Sequence, residues 1–125
     1  MLSRIKSLTF LGIEAQTVDI QVHISKGGLP SFSIVGLPDK AIAESRERIR
    51  AAFSSLGLGL PNQRITINLS PADLIKVGSH FDLGIAMGLL TALQIVPQEE
   101  IQNYIVMGEL GLDGSIIRVE GGLPA

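Results

Sequence analysis

Four residues that could do chemistry fall close together in the run KVGSHFDLGIAMGLL, residues 76–90: Lys76, Ser79, His80 and Asp82. Ser, His and Asp can form a nucleophile–base–orienter triad, in which the hydroxyl attacks and the imidazole takes its proton. That chemistry needs the side chains to converge, and neighbours on one helical turn do not face each other. The same spacing suits a helix start. Ser79 as N-cap accepts from a first-turn N–H, and Asp82 at N3 reaches back, an acidic variant of the capping box. Such a cap contributes about 1 kcal/mol, and the helix dipole favours an acid there. The expectation is therefore a bond from Ser79 or Asp82 to a first-turn backbone N–H.

Other chemistry is thinly represented. The chain has two histidines and no cysteine, too few side chains for a metal site of His and Cys. His23 falls on the polar phase of a strand pattern. No G-x-x-x-x-G-K-[ST] run exists to cradle phosphates, and the glycine pairs at 27–28 and 121–122 read as turns. Glu99–Glu100 reads as a solvated helix face. The cluster RERIR carries Arg46, Arg48 and Arg50 but interleaves them with acid and lacks an aromatic stacking partner. A solvated helix face is the expectation, with a weak nucleic-acid or interface contact as the alternative.

These residues must be positioned by a modest, aliphatic domain. The 125 residues fit one domain, and a hydrophobic content of 46% supplies a core with only 4% aromatic residues. The net charge of -2 argues against a broad nucleic-acid face, though not against a local basic patch. No apolar run approaches the roughly 20 residues of a membrane span, and the N-terminus lacks the pattern of a signal peptide. A cytoplasmic setting is expected, as is a longer protein of which residues 1–125 form the N-terminal domain.

Residues 7–11, 15–25 and 31–36 read as three strands, with Val18, Ile20, Val22 and Ile24 on one face of the second. Three successive strands predict an antiparallel meander. Pro38 and Asp39 open a helix whose buried stripe is Ile42, Ile49, Ala52, Phe53 and Leu56. Glu44 and Arg48 stand four apart on its other side. Residues 64–69 form a strand, and about 81–94 a helix apolar nearly all round, hence central. A short polar helix at 98–103 is possible. Strands at 104–110 and 115–121 follow, joined by GLDG, a strong hairpin signal. The order β-β-β-α-β-α-β-β indicates an α+β sandwich, a mainly antiparallel sheet packed on two helices.

Three stretches, FSIVGLPDKAIAESRERIRAAF, ITINLSPADLIKVGSHFDLGIAMGLL and MGELGLDGSIIRVEGGLPA, together cover most of the chain. They resemble the N-terminal domain of the ComM/YifB family of magnesium-chelatase-related, competence-associated AAA+ ATPases. The resemblance implies a ribosomal protein S5 domain 2-like fold, similar to the Lon proteolytic domain. It also implies a parent protein in which a following AAA+ module binds ATP and Mg, while residues 1–125 bind no cofactor. The implied partners are that module, neighbouring subunits of a ring and, through the whole protein, DNA undergoing branch migration in transformation and recombination. No membrane partner is implied.

Lon-type peptidases use a Ser–Lys dyad, a hydroxyl nucleophile with a neutral amine as base. On that pattern Asp82 stands at the nucleophile position, and Pro124 and Ala125 follow the Gly-Gly-Leu where the lysine would lie. The resemblance therefore implies a protease fold without catalytic residues, a non-catalytic assembly or regulatory domain. Two alternatives stay open. One is a peptidase using Ser79 or Ser70 with Lys76. The other is a nucleic-acid-binding module, for which Arg46, Arg48, Arg50, Lys76 and His80 are the candidate contacts.

Overall fold

The computed structural model describes residues 1–11, 13–71, 76 and 79–117. In chain order these form β1 (Leu2–Leu11), β2 (Glu14–Ser25), β3 (Ser31–Val35), α1 (Asp39–Ser55), β4 (Arg64–Ser70), α2 (Asp82–Ala92), α3 (Gln98–Ile101), β5 (Glu109–Leu110) and β6 (Ile116–Ile117). Pro124 and Ala125 lie outside the described residues.

The alternation in β2 folds as its spacing predicts: Val18, Ile20, Val22 and Ile24 are buried and His23 is exposed. The expected meander does not form. The sheet runs β1-β2-β4-β3, with β1–β2 and β2–β4 antiparallel and β3–β4 parallel. The reason lies in the connection: β3 leads into β4 through α1, and a parallel neighbour needs such a crossover. β4 thereby lies between β2 and β3, and β3 is at the sheet's edge. The architecture is α+β with a mixed sheet that is still mainly antiparallel, β3 pairing in parallel with β4.

The buried face of the sheet meets α2 at close range. A Cβ on Gly84 would come 2.6 Å from Ile20 Cδ1, and one on Gly88 2.6 Å from Val22 Cγ2. Opposite them β1 turns small side chains inward, Ser3, Ser7 and Thr9 around Ile5. The Ser3 hydroxyl donates to the Gly88 carbonyl at 2.6 Å. Ile20, Ile49, Ile65, Ile67, Ile85 and Leu89 fill the rest. Complete burial of such a side chain is worth roughly 1.5–3 kcal/mol. Gly36 fixes the turn from β3 into α1: its φ is 107°, and a Cβ there would strike the Leu69 carbonyl at 2.4 Å.

The run at 104–110 is a strand only at its end. Val106 N–H donates to the Lys6 carbonyl at 2.8 Å, and Ile105 bridges Lys6 in parallel at the edge of β1. Gly108 instead turns toward α2: its N–H donates to His80 O and its carbonyl accepts from Leu83 N–H. The Asp-Gly hairpin is present, β5 pairing antiparallel with β6. Leu56, expected in the buried stripe of α1, is 60% exposed because it is the C-cap, one step past the helix.

Candidate functional site: a tied carboxylate beside a polar cleft

Asp82 begins α2 but does not cap it. Phe81 is the N-cap, no side chain makes a capping bond, and Asp82 occupies the first helical position. The expected capping box of Ser79 and Asp82 is therefore absent. Backbone groups do that work. Asp82 N–H donates to the Ser79 carbonyl at 3.2 Å, and Leu83 N–H donates to the Gly108 carbonyl at 2.9 Å. With these N–H groups satisfied, the Asp82 carboxylate is available for contacts distant in sequence.

It makes them on three elements. Asp82 is 1% exposed. Its Oδ1 accepts from Ser45 Oγ at 2.8 Å and from an Arg48 terminal nitrogen at 3.1 Å. Its Oδ2 accepts from Arg48 Nε and, at 3.3 Å, from Leu110 N–H. Two α1 side chains and the β5 backbone thus converge on one carboxylate. The planar guanidinium binds side-on, the geometry that makes arginine a strong carboxylate partner. The Asp82 hydrogen bond is the main cause holding the Arg48 pKa above its ordinary value, against burial; the charges of Asp82, Glu109 and Glu44 add to it.

Arg48 forms one wall of an open cleft of about 470 Å³. Lys40, Glu44, Lys76, Ser79 and Glu109 also line it. Lys76 is 2% exposed, and its Nζ donates to the Pro71 carbonyl at 2.7 Å. Ser79 is half-buried. The cleft thus gathers Lys76 and Ser79, as a hydroxyl–amine dyad would need, while Asp82 is sealed behind Arg48.

The remaining sequence candidates separate. His80 is buried, its Nε2 on the Leu8 carbonyl at 2.8 Å and its ring 4.2 Å from that of Phe81. The carbonyl can only accept, so Nε2 carries the proton. With His80 on β1 and Asp82 on Arg48, no Ser–His–Asp relay exists. The arginine cluster is not one solvated face. Arg46 donates to the Phe32 carbonyl at 3.0 Å, Arg48 holds Asp82, and Arg50 lies 5.5 Å over the Phe32 ring. Arg48, Lys76 and His80 thus each make an internal contact.

Ser45 and Leu110 N–H were not expected at the site. Ser45 carried a signal: it interrupts the buried stripe between Ile42 and Ile49, and a serine in an apolar phase needs a partner. Nothing in the sequence marked the Leu110 amide. Among the described residues no group of three or more His, Asp or Glu could hold a metal, and no helix is long and apolar enough to cross a membrane.

A family model described as subunit ChlI of Mg-chelatase matches residues 20–125. The chain belongs to that family. Its sequence is also similar to three longer proteins. It is 44% identical over 124 residues to the uncharacterized protein Rv2897c of Mycobacterium tuberculosis, covering 99% of this chain and 24% of that protein. It is 41% identical over 122 residues to the uncharacterized protein YifB of Escherichia coli, with 98% and 24% covered. It is 40% identical over 124 residues to the competence protein ComM of Haemophilus influenzae, with 99% and 24% covered. The chain spans about a quarter of the length of these curated relatives.

Proposed function

We propose that the chain is a non-catalytic assembly or regulatory domain of a ComM-like, magnesium-chelatase-related AAA+ ATPase, with an S5 domain 2-like, Lon-like fold. The observation that carries this reading is the state of Asp82. The residue at the position of a Lon-type nucleophile is buried and holds four hydrogen bonds from Ser45, Arg48 and Leu110 N–H. A carboxylate bound in this way welds α1, α2 and β5 together and is not presented to a substrate. The domain's part is then mechanical: a rigid body that contacts a following ATPase module and neighbouring subunits of a ring. ATP and Mg belong to that module, and the DNA branch migration of transformation and recombination to the whole assembly. The similarity to the competence protein ComM supports this assignment.

One observation favours a second reading. Lys76 and Ser79 line the same cleft, which suits a peptidase built on a displaced nucleophile. Incubation with unfolded casein separates the two. The assembly reading expects no cleavage. Cleavage abolished by Ser79→Ala would overturn it and establish the peptidase.

A further inference from the structure

Both long helices pack on one face of the sheet, and among the described residues the other face is left open. Register across β1, β2, β4 and β3 places Arg4, Gln21, Asn68 and Val35 in one row of that face. Leu2, His23, Thr66 and Ser33 form the next. Lys6 stands opposite Asp19, and Arg64 between Ser25 and Ser31. Arg4, Lys6, His23 and Arg64 are exposed.

A polar outer face is ordinary for a two-layer domain; its charge distribution here is not. Helix α1 sets three acids, Asp39, Glu44 and Glu47, among its four cations. In the sheet rows three cations, Arg4, Lys6 and Arg64, meet one acid, Asp19. This positive field lies on a chain of net charge -2. The other side chains of the rows are mainly amides and hydroxyls, which donate to phosphate and sugar oxygens. At its margin the face deepens into a groove of about 620 Å³ between β1 and α3, lined by Arg4, Lys6, Asp19, Gln98, Gln102 and Asn103. Strand geometry sets Arg4 and Arg64 roughly 16 Å apart, about the rise of five nucleotides on one strand of a duplex.

We propose that the open face of the β1-β2-β4-β3 sheet, with Arg4, Lys6 and Arg64, docks a nucleic-acid phosphate backbone. The contact is sequence-independent, because the three cations reach phosphates, which carry no base identity. This surface lies opposite the Asp82 site and does not depend on the assembly reading. A peptidase result would leave it untouched.

The test is fluorescence anisotropy of labelled single-stranded and duplex oligonucleotides of several sequences, titrated with the intact chain from about 50 to 200 mM salt. Three phosphate contacts predict a slope of log K against log salt of about -2 to -3, independent of sequence. Arg4→Ala with Arg64→Ala removes roughly two units of that slope, without changing the melting temperature. Arg46→Ala with Arg50→Ala, on the helix side, leaves the slope as it was. The single-stranded and duplex arms decide which form is preferred. The proposal is overturned if the unmodified chain does not bind, if the sheet variant keeps its slope, or if the helix variant loses binding instead. Displacement by polyglutamate at equal charge concentration would make the partner an acidic protein, and would also overturn it.

Discussion

Two aspartates bond to the backbone of the β5–β6 hairpin, and their surroundings differ completely. Asp82 reaches Leu110 N–H from a site 1% exposed, with Arg48 and Ser45 on the same carboxylate. Asp113 accepts from Ser115 N–H at 3.0 Å in the exposed turn. Both are carboxylate-to-amide contacts of ordinary length. Burial separates them: water competes fully for Asp113, whereas Asp82 has no solvent to return to if a partner leaves. One side chain joins three elements and the other trims a turn.

The largest effect expected comes from stranding the buried charge. Arg48→Ala leaves the Asp82 carboxylate short of its cation and should cost about 3 kcal/mol in urea unfolding, the low end for a buried pair. Arg48 is itself 21% exposed, and water can partly replace it. Ser45→Ala removes one charge-assisted hydrogen bond and should cost about 1.5 kcal/mol. Ser7→Ala should act in the opposite direction. Among the described residues its buried hydroxyl has no hydrogen-bond partner, so removal should raise stability by about 1 kcal/mol; a loss would mean that burial alone does not set the value of these polar groups.

Asp113→Ala should give the smallest effect, no resolved change in the unfolding midpoint at neutral pH, with faster hydrogen exchange at the Ser115 amide. The bonds to Ser115 hold the Asp113 pKa below its ordinary value of 3.8. Its contribution is therefore present above that value and fades as pH falls through the lower, folded value. Exchange at Ser115 should accelerate only in that acidic window. Acceleration beginning near neutrality would show that the Asp113 contact is not what protects the amide.

The difference between the two aspartates also explains what was legible in the sequence. Asp113 sits in an Asp-Gly turn, a local signal, and the hairpin folds where that signal puts it. The strand faces were legible for the same reason, since period-2 alternation is local. The role of Asp82 was not. Its partners Ser45 and Arg48 lie 37 and 34 residues away, and no spacing rule links them. The local rule that did apply, the capping box, gave way because the Gly108 carbonyl takes the Leu83 N–H. The parallel placement of β3 was hidden likewise: its sequence alternates as a meander strand would, and only the return of α1 decides its neighbour. Ser45 was the one long-range contact with a trace in the sequence, a hydroxyl in an apolar stripe.

A double-mutant cycle on Arg48 and Asp82, followed by urea unfolding, tests most directly whether Asp82 is a structural weld. Arg48→Met, Asp82→Leu and the double variant complete it. If the pair is the tie that joins α1, α2 and β5, each single change is costly and the double variant recovers much of the loss, with a coupling of about 2 kcal/mol or more. Single effects that add to within about 0.5 kcal/mol would contradict this account, and would leave Asp82 with a purpose other than holding the fold.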